Sequence, residues 1–185
     1  FSYTPDGPFA MTDEIRETVR LSAGTSDGHL DDQAISRGVA AARMYAAYCE
    51  RTAVDEVIVG ATSAIRDAAN QQQVLAAFRE VGLDARVLSV DDEAYYGYLG
   101  VVNSMPIENG FFVDVGGGSA QVGRITDRTL ERSMSEPLGA VRMTEMFYGA
   151  ERARRSEVKA QRQHVEAALT RHEWISPSDL PLVGT

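Results

Sequence analysis

The chain has 185 residues, of which 44% are hydrophobic and 24% are charged, a profile typical of a soluble globular protein. Acidic side chains outnumber basic ones by 27 to 18, and the net charge of -9 excludes a general nucleic-acid coat, which needs a basic surface. No apolar run approaches the ~18 residues of a membrane-spanning helix, so no membrane segment is predicted.

The first part of the chain predicts a β-hairpin followed by a long helix. Residues 1–3 and the mixed run that ends at Leu21 are interpreted as two strands, because the Pro-Asp-Gly sequence between them favours a turn. A helix with apolar residues at helical spacing follows, with Asp31 as its N-cap. The single cysteine, Cys49, excludes an internal disulfide framework and suits a reducing compartment, so a cytoplasmic protein is predicted.

Strands and helices alternate in the next segment. Residues 56–61 form a short β-branched run, which predicts a buried parallel strand. A helix over residues 71–80, a second strand over 85–89 and a helix that starts at Asp91 and runs towards residue 105 follow. This alternation is typical of an α/β lobe.

A second strand-rich segment begins after Asn109-Gly110. Two strand-rich starts, each followed by helices, indicate two related lobes that are joined through the helix at 91–105. The predicted strands of the second segment are 111–115, 119–126, 129–135 and 180–183, and its predicted helices are 141–148 and 154–172.

The most informative feature is an aspartate followed by three glycines. Asp114 lies among apolar strand residues, where an ionised carboxylate is costly unless a cation or another partner compensates it. Gly116, Gly117 and Gly118 carry no β-carbon, so backbone N–H groups can form a concavity for a phosphate oxygen, with the Ser119 hydroxyl at its rim. Phosphate and a divalent metal are therefore predicted here. The alternative is a hairpin that uses glycines for positive φ, with Asp114 hydrogen-bonded to the turn.

Two other glycine-rich phosphate sites do not match this segment. A dinucleotide fingerprint needs a third glycine and a helix start, but Gln121 and the strand-like residues 122–125 stand there. A P-loop would end in Gly-Lys-Ser/Thr, which is absent from the sequence. The pattern predicts a phosphate clamp made of a strand, a glycine turn and a strand.

These residues resemble the exopolyphosphatase/guanosine pentaphosphate phosphohydrolase family, whose members have the actin-like, ribonuclease H-like fold. The similarity covers nearly the whole chain and rests on five motifs that agree in order and spacing. They are residues 19–21 (Val-Arg-Leu), 61–68 (Ala-Thr-Ser-Ala-Ile-Arg-Asp-Ala), 89–101 (Ser-x-x-Asp-Glu-Ala to Tyr-Leu-Gly-Val), 114–119 (Asp-x-Gly-Gly-Gly-Ser) and 137–142 (Pro-Leu-Gly-Ala-Val-Arg).

The resemblance implies an α/β, actin-like two-lobe fold with mixed sheets and a cleft between the lobes. Residues 1–95 would belong to lobe I, 96–106 to the connecting helix and 107–185 to the first part of lobe II. The family's first phosphate loop, of Asp-x-Gly-Ser-Asn-Ser type, has no counterpart in this sequence, and residues 182–185 look like the entry to the family's Gly-Gly-Thr loop. An incomplete two-lobe core is therefore expected.

The resemblance also implies roles for two charged residues. Glu93 matches the family's catalytic glutamate, a general base that activates water, and Arg66 matches an arginine that clamps phosphate. Without the resemblance, Glu93 would be interpreted as one of three carboxylates that complement a helix dipole. Arg66 would then be a helix-start arginine paired with Asp67.

This chain departs from the family at three positions. Val90 and Asp92 stand where the family usually has Gly and Glu, near the predicted base. Gln121 stands where the family commonly has a glutamate that helps to hold metal or water, so a negative charge beside Asp114 is lost. A lower metal affinity or rate, or an inactive nucleotide-sensing relative, is therefore an open alternative.

The sequence predicts an enzyme that hydrolyses a terminal phosphoanhydride with Mg²⁺ or another divalent cation. Glu93 would be the base, Asp114 the metal ligand, and Arg66, the three glycines at 116–118 and Ser119 the phosphate-binding residues. The expected partners are inorganic polyphosphate or guanosine pentaphosphate, with no nucleic acid, no membrane, and a homodimer as the candidate assembly. One alternative is a non-catalytic module of the same fold that binds polyphosphate or nucleotide. Another is an actin-fold phosphotransferase that uses ATP.

Overall fold

The described residues form three β-sheets, two with two strands and one with four, and a long helix connects the last two along the chain. The computed structural model describes residues 2–3, 9–149, 152–176 and 178–185. The strands are β1 (Ser2–Tyr3), β2 (Phe9–Ala10), β3 (Val59–Ala61), β4 (Ala85–Val87), β5 (Gly110–Val115), β6 (Ala120–Thr126), β7 (Thr129–Glu136) and β8 (Leu182–Gly184). The helices are α1 (Asp32–Arg51), α2 (Ser63–Arg66), α3 (Gln71–Glu80), α4 (Val90–Ser104), α5 (Ala140–Phe147) and α6 (Arg155–Leu169).

Strands β1 and β2 pair in antiparallel fashion. The sheet in the first half of the chain consists of β3 and β4, which pair in parallel. A parallel pair needs a crossover connection, and α2 with α3 supplies it. Helix α1 begins after Asp31, whose side chain accepts hydrogen bonds from the amides of Gln33 and Ala34, as predicted for an N-cap. The core of this part consists of Leu30, Ile35, Ala61, Ile65, Val74, Leu75 and Ala85.

The four-stranded sheet has the strand order β7-β6-β5-β8 and is covered by helices on both faces. β5, β6 and β7 pair in antiparallel fashion, whereas β8 runs parallel to β5. One face packs on α4 through Phe112 and Ile125, and the other packs on α5 and α6 through Ala120. Gly123 is required on the first face, since a Cβ there would lie 2.0 Å from Phe112 Cε1. The predicted order of strands and helices is confirmed in both halves.

Several predicted strand limits were wrong. The strand expected over 56–61 begins only at Val59, and Val57 and Ile58 are 48% and 81% exposed, so this run is not buried throughout. The strand predicted to reach Leu21 ends at Ala10, and residues 11–20 have no regular secondary structure. The predicted turn at 4–7 lies outside the described residues. The hydrophobic composition of a segment does not determine which of its residues pair with a neighbouring strand.

Cys49 is a free, half-buried cysteine on α1. Within the described ranges, every helix is too short or too polar to cross a membrane.

Candidate active site

The three glycines form a turn between β5 and β6 that does not depend on positive φ. Among the described glycines, positive φ angles occur at Gly24, Gly28 and Gly82, not in this turn. The Gly116 amide donates to the Ser119 carbonyl at 3.0 Å, which closes the turn. A Cβ at Gly118 would lie 2.7 Å from Ser63 Oγ, at the start of α2. β5 and β6 form an antiparallel hairpin, but without the positive φ that the hairpin alternative required. Close approach to a neighbouring element explains the glycine at 118.

Helix α5 holds the carbonyl side of the glycine turn. The amides of Ala140 and Val141 donate to the carbonyls of Gly116 and Gly117 at 2.8 and 3.0 Å. Arg142 Nε donates to the Gly118 carbonyl at 3.0 Å. Gly139 permits this packing, since a Cβ there would lie 2.4 Å from the carbonyl carbon and oxygen of Gly117.

The opposite side of the turn presents unpartnered amides. In a trans peptide, the N–H group points away from the carbonyl of the preceding residue. The carbonyls of residues 116–118 face α5, so the amides of Gly117, Gly118 and Ser119 point away from it. Across the described residues, none of these amides donates a hydrogen bond. Successive free backbone amides form a concavity suited to an anion.

Ser119 and Gln121 are connected beneath this turn. Ser119 is 5% exposed and Gln121 is 1% exposed. Gln121 Nε2 donates to Ser119 Oγ at 2.9 Å and to Ser135 Oγ at 3.1 Å. Gln121, noted in the sequence only as a departure from a family pattern, is therefore a buried hydrogen-bonding centre. Its role depends on strand register, which the sequence does not reveal.

Asp114 is less buried than predicted. It is half-buried and lies directly opposite Gln121 in the β5–β6 register. Its side chain makes no hydrogen bond or ion pair with another described residue, so the turn does not neutralise it as the hairpin alternative required. Asp114 lies next to the last residue of β5, where the strand reaches the surface, and that last residue, Val115, is 52% exposed.

Arg66 and Glu93 form the shortest charged contact in this region. Arg66 Nη1 lies 2.6 Å from Glu93 Oε2, and the side chains are 15% and 12% exposed. Arg66 also donates to the Leu88 carbonyl and to Asp67 Oδ1, both at 3.3 Å. The pairing with Asp67 anticipated for Arg66 is therefore present, but the contact with Glu93 is shorter and more buried.

The parallel sheet explains why these two residues meet. The carboxyl ends of parallel neighbours lie at the same edge, where α2 follows β3 and α4 follows β4. Ser89 caps α4 in a capping box with Asp92, which fixes the helix start and places Glu93 in its first turn. The sequence assigned both residues to the site, but their contact follows only from the adjacency of β3 and β4.

The glycine turn borders the first half of the chain. Gly118 approaches Ser63, and the Gly24 amide donates to Glu145 Oε1 on α5 at 3.0 Å. A cavity of about 340 Å³ lies at this junction and is lined in part by Ser22, Thr25 and Arg142. The structure therefore brings the glycine turn, Ser119 and α2 together, and joins Arg66 to Glu93. No hydrogen bond within the described ranges links Glu93 to Asp114 or to the turn.

Sequence comparison identifies similar proteins. A model of the Ppx/GppA phosphatase family matches residues 4–182. Exopolyphosphatase 1 of Mycobacterium tuberculosis is 30% identical over 158 residues, which cover 83% of this chain and 46% of the relative. A bifunctional 3-dehydroquinate synthase/phosphatase of Fusobacterium nucleatum is 30% identical over 125 residues, or 64% of this chain and 19% of the relative. The chain thus spans about half the length of the mycobacterial relative.

Solved structures agree with the fold. An exopolyphosphatase from Cytophaga hutchinsonii superposes with a TM-score of 0.85 at 23% identity, over 97% of this chain and 59% of the other. A Ppx/GppA family member from Aquifex aeolicus superposes with a TM-score of 0.71 at 29% identity, over 97% of this chain and 58% of the other. The predicted family resemblance and the predicted mixed α/β fold are confirmed.

Proposed function

Because the chain belongs to the Ppx/GppA phosphatase family, we propose that the protein hydrolyses terminal phosphoanhydride bonds of inorganic polyphosphate or guanosine pentaphosphate. The relatives named exopolyphosphatase support this substrate class. The observation that carries the proposal is the row of free amides at Gly117, Gly118 and Ser119 beside α2. Such amides bind phosphate oxygens without carrying a charge of their own.

The residues around the turn would hold the phosphate chain. The three amides and the Ser119 hydroxyl would donate hydrogen bonds to oxygens of the terminal phosphates. Arg66 uses Nη1 for Glu93 and Leu88, and its Nη2 donates to no described residue, so Nη2 is the atom that would contact a phosphate oxygen. Arginine suits this role because its planar fork allows contacts to two partners at once.

Glu93 would act as the general base. Arg66 holds Glu93 Oε2, and Oε1 accepts no hydrogen bond from the described residues. Oε1 would take a proton from water while the water oxygen attacks the terminal phosphorus. The bond from that phosphorus to the bridging oxygen breaks, which gives orthophosphate and a chain one phosphate shorter. Positioning and charge stabilisation are the main terms in this reaction.

The side chains near the glycine turn are compatible with Mg²⁺ but offer few ligands to it. The described residues contain no group of three or more His, Cys, Asp or Glu side chains that could hold a metal. Mg²⁺ commonly keeps several waters and binds through one or two carboxylates together with substrate phosphates. The unpartnered carboxylate of Asp114 fits that pattern. Asp114 would therefore hold Mg²⁺, which when bound neutralises charge on the phosphates.

A second candidate function is non-catalytic binding of polyphosphate or nucleotide. The observation that favours it is the neutral, buried amide of Gln121 directly opposite Asp114. The neutral carboxamide of Gln121 contributes no negative charge that would help Asp114 to bind a metal. The phosphate-binding amides would still be available in such a module.

The test is phosphate release from polyphosphate and from guanosine pentaphosphate, with Mg²⁺, by the protein expressed from its complete gene. Glu93→Gln is expected to lower the rate by about 100-fold or more, as for loss of a general base. Asp91→Asn is the matched control, since it removes an exposed carboxylate from the first turn of the same helix. It is expected to keep most of the activity.

The outcomes separate the two candidate functions. Release of phosphate by the unaltered protein and its loss in Glu93→Gln would support the hydrolase. Binding of polyphosphate without any release would support the sensor. Full activity of Glu93→Gln would reject the base assignment.

A further inference from the structure

The side chain of Gln121 lies at the centre of the four-stranded sheet. Its Cα is paired with Asp114 on β5 and with Ser135 on β7. Side chains at directly opposed positions project from the same face of a sheet. Gln121 is 1% exposed, so its carboxamide has to find its hydrogen-bond partners within the protein.

The carboxamide acts as a donor towards two serines. Gln121 Nε2 donates to Ser119 Oγ at 2.9 Å and to Ser135 Oγ at 3.1 Å. A carboxamide nitrogen has two hydrogens, so both are used. The oxygen of the Ser119 hydroxyl is therefore an acceptor in this contact.

This contact determines what Ser119 can offer to a ligand. A hydroxyl has one hydrogen, and Ser119 Oγ donates it to no described residue. The Ser119 amide is also free. Ser119 therefore presents two donors, N–H and O–H, on one residue of the glycine turn.

A glutamate at the same position would have the opposite effect. A carboxylate only accepts hydrogen bonds, so it would take the hydrogen of the Ser119 hydroxyl. It would also place a second negative charge opposite Asp114, which repels a phosphate unless a cation lies between them.

We propose that Gln121 is a positioning residue that keeps the Ser119 hydroxyl as a donor, so that this site binds phosphoanhydrides with little dependence on metal. The inference rests on the proposed function, because it concerns the phosphate site described there. Gln121 would act through Ser119 and would not itself contact the ligand.

The test measures binding of tripolyphosphate by calorimetry, with EDTA and then with Mg²⁺. The unaltered protein is expected to bind in EDTA. Gln121→Glu is expected to bind roughly 10-fold to 100-fold more weakly in EDTA, as for loss of a hydrogen bond to a charged group. Mg²⁺ is expected to restore most of that loss, because two opposed carboxylates favour a divalent cation.

A double-mutant cycle distinguishes this role from a structural one. Ser119→Ala alone is expected to weaken binding, and adding Gln121→Glu to it is expected to cause a smaller further loss in EDTA than Gln121→Glu causes alone, since only the charge repulsion with the phosphate remains. Gln121→Met, a neutral side chain of similar length, should weaken binding without creating the Mg²⁺ dependence. Ser135→Ala is the matched control, because it removes the other partner of the same amide.

Three results would overturn the inference. The first is equal binding by Gln121→Glu and the unaltered protein in EDTA. The second is an effect of Gln121→Glu that persists undiminished in the Ser119→Ala background. The third is a loss in Ser135→Ala as large as that in Ser119→Ala. If the unaltered protein bound tripolyphosphate neither in EDTA nor with Mg²⁺, the proposed function would be rejected as well.

Discussion

Arg66 and Glu93 are joined by a mostly buried ion pair, and each has a second task in the proposed reaction. Arg66 holds one carboxylate oxygen of Glu93 and also donates to the Leu88 carbonyl. The guanidinium therefore fixes the position of Glu93, the proposed general base, before any ligand binds. Preorganised contacts of this kind avoid reorganisation at the moment of reaction.

The ion pair leads to a stability prediction. Arg66→Gln would leave the carboxylate of Glu93, which is 12% exposed, without its charged partner. The free energy of unfolding is expected to fall by about 2–3 kcal/mol, since an unpaired buried charge is costly. Urea denaturation measures this change.

The matched control is Arg79→Gln. Arg79 pairs with Asp84, and the two side chains are 52% and 84% exposed. Removal of this pair should lower the free energy of unfolding by less than about 1 kcal/mol, as for other surface ion pairs. Equal losses in the two variants would show that the Arg66–Glu93 contact contributes no more than a surface pair.

At the scale of elements, the connection between β7 and α5 positions the glycine turn. The motif from Pro137 to Arg142 contributes two backbone amides and one guanidinium to the turn's carbonyls. The free amides on the far side follow from this arrangement, because carbonyl and amide point in opposite directions. The proposed phosphate site therefore depends on α5, which contacts the turn from the side opposite the free amides.

Gly139 is the residue at which this connection is most easily tested. Gly139→Ala would place a Cβ 2.4 Å from backbone atoms of Gly117 and Gly118, so the turn or the helix has to move. A loss of about 1–3 kcal/mol in unfolding free energy is expected, with weaker phosphate binding. Thermal denaturation and calorimetry measure the two effects.

Gly100→Ala serves as the comparison. Gly100 lies in α4, and an added Cβ there would have no neighbour within 4 Å. The substitution should stabilise the helix by roughly 0.5–1 kcal/mol. If Gly139→Ala did not lower the unfolding free energy either, that result would contradict the close packing of α5 on the turn.

At the scale of the whole molecule, the two halves meet where the phosphate is proposed to bind. Gly118 approaches Ser63, and Gly24 donates to Glu145. The chain has a net charge of -9 although its proposed substrates are polyanions. The proposed binding by backbone amides, one arginine and a cation would resolve this conflict locally, since none of these groups requires a basic surface.

The sequence predicted the elements better than it predicted the contacts between them. The glycine turn and its two strands were predicted because glycines and alternating apolar residues are local signals. The exposure of Ile58 and the contact of Arg66 with Glu93 depend on which strands are neighbours. The role of Gln121 depends on the pairing register of β6 with β5 and β7, which local sequence signals do not determine. The division into lobes at residues 95 and 106 stays a prediction.

The central claim is that the amides of the glycine turn bind phosphate. The most direct measurement is a titration with tripolyphosphate followed by two-dimensional amide NMR. The amide signals of Gly117, Gly118 and Ser119 are expected to shift most, whereas those of Gly82 and Gly100 stay in place. Saturable binding that shifts other residues and leaves these three unchanged would contradict it.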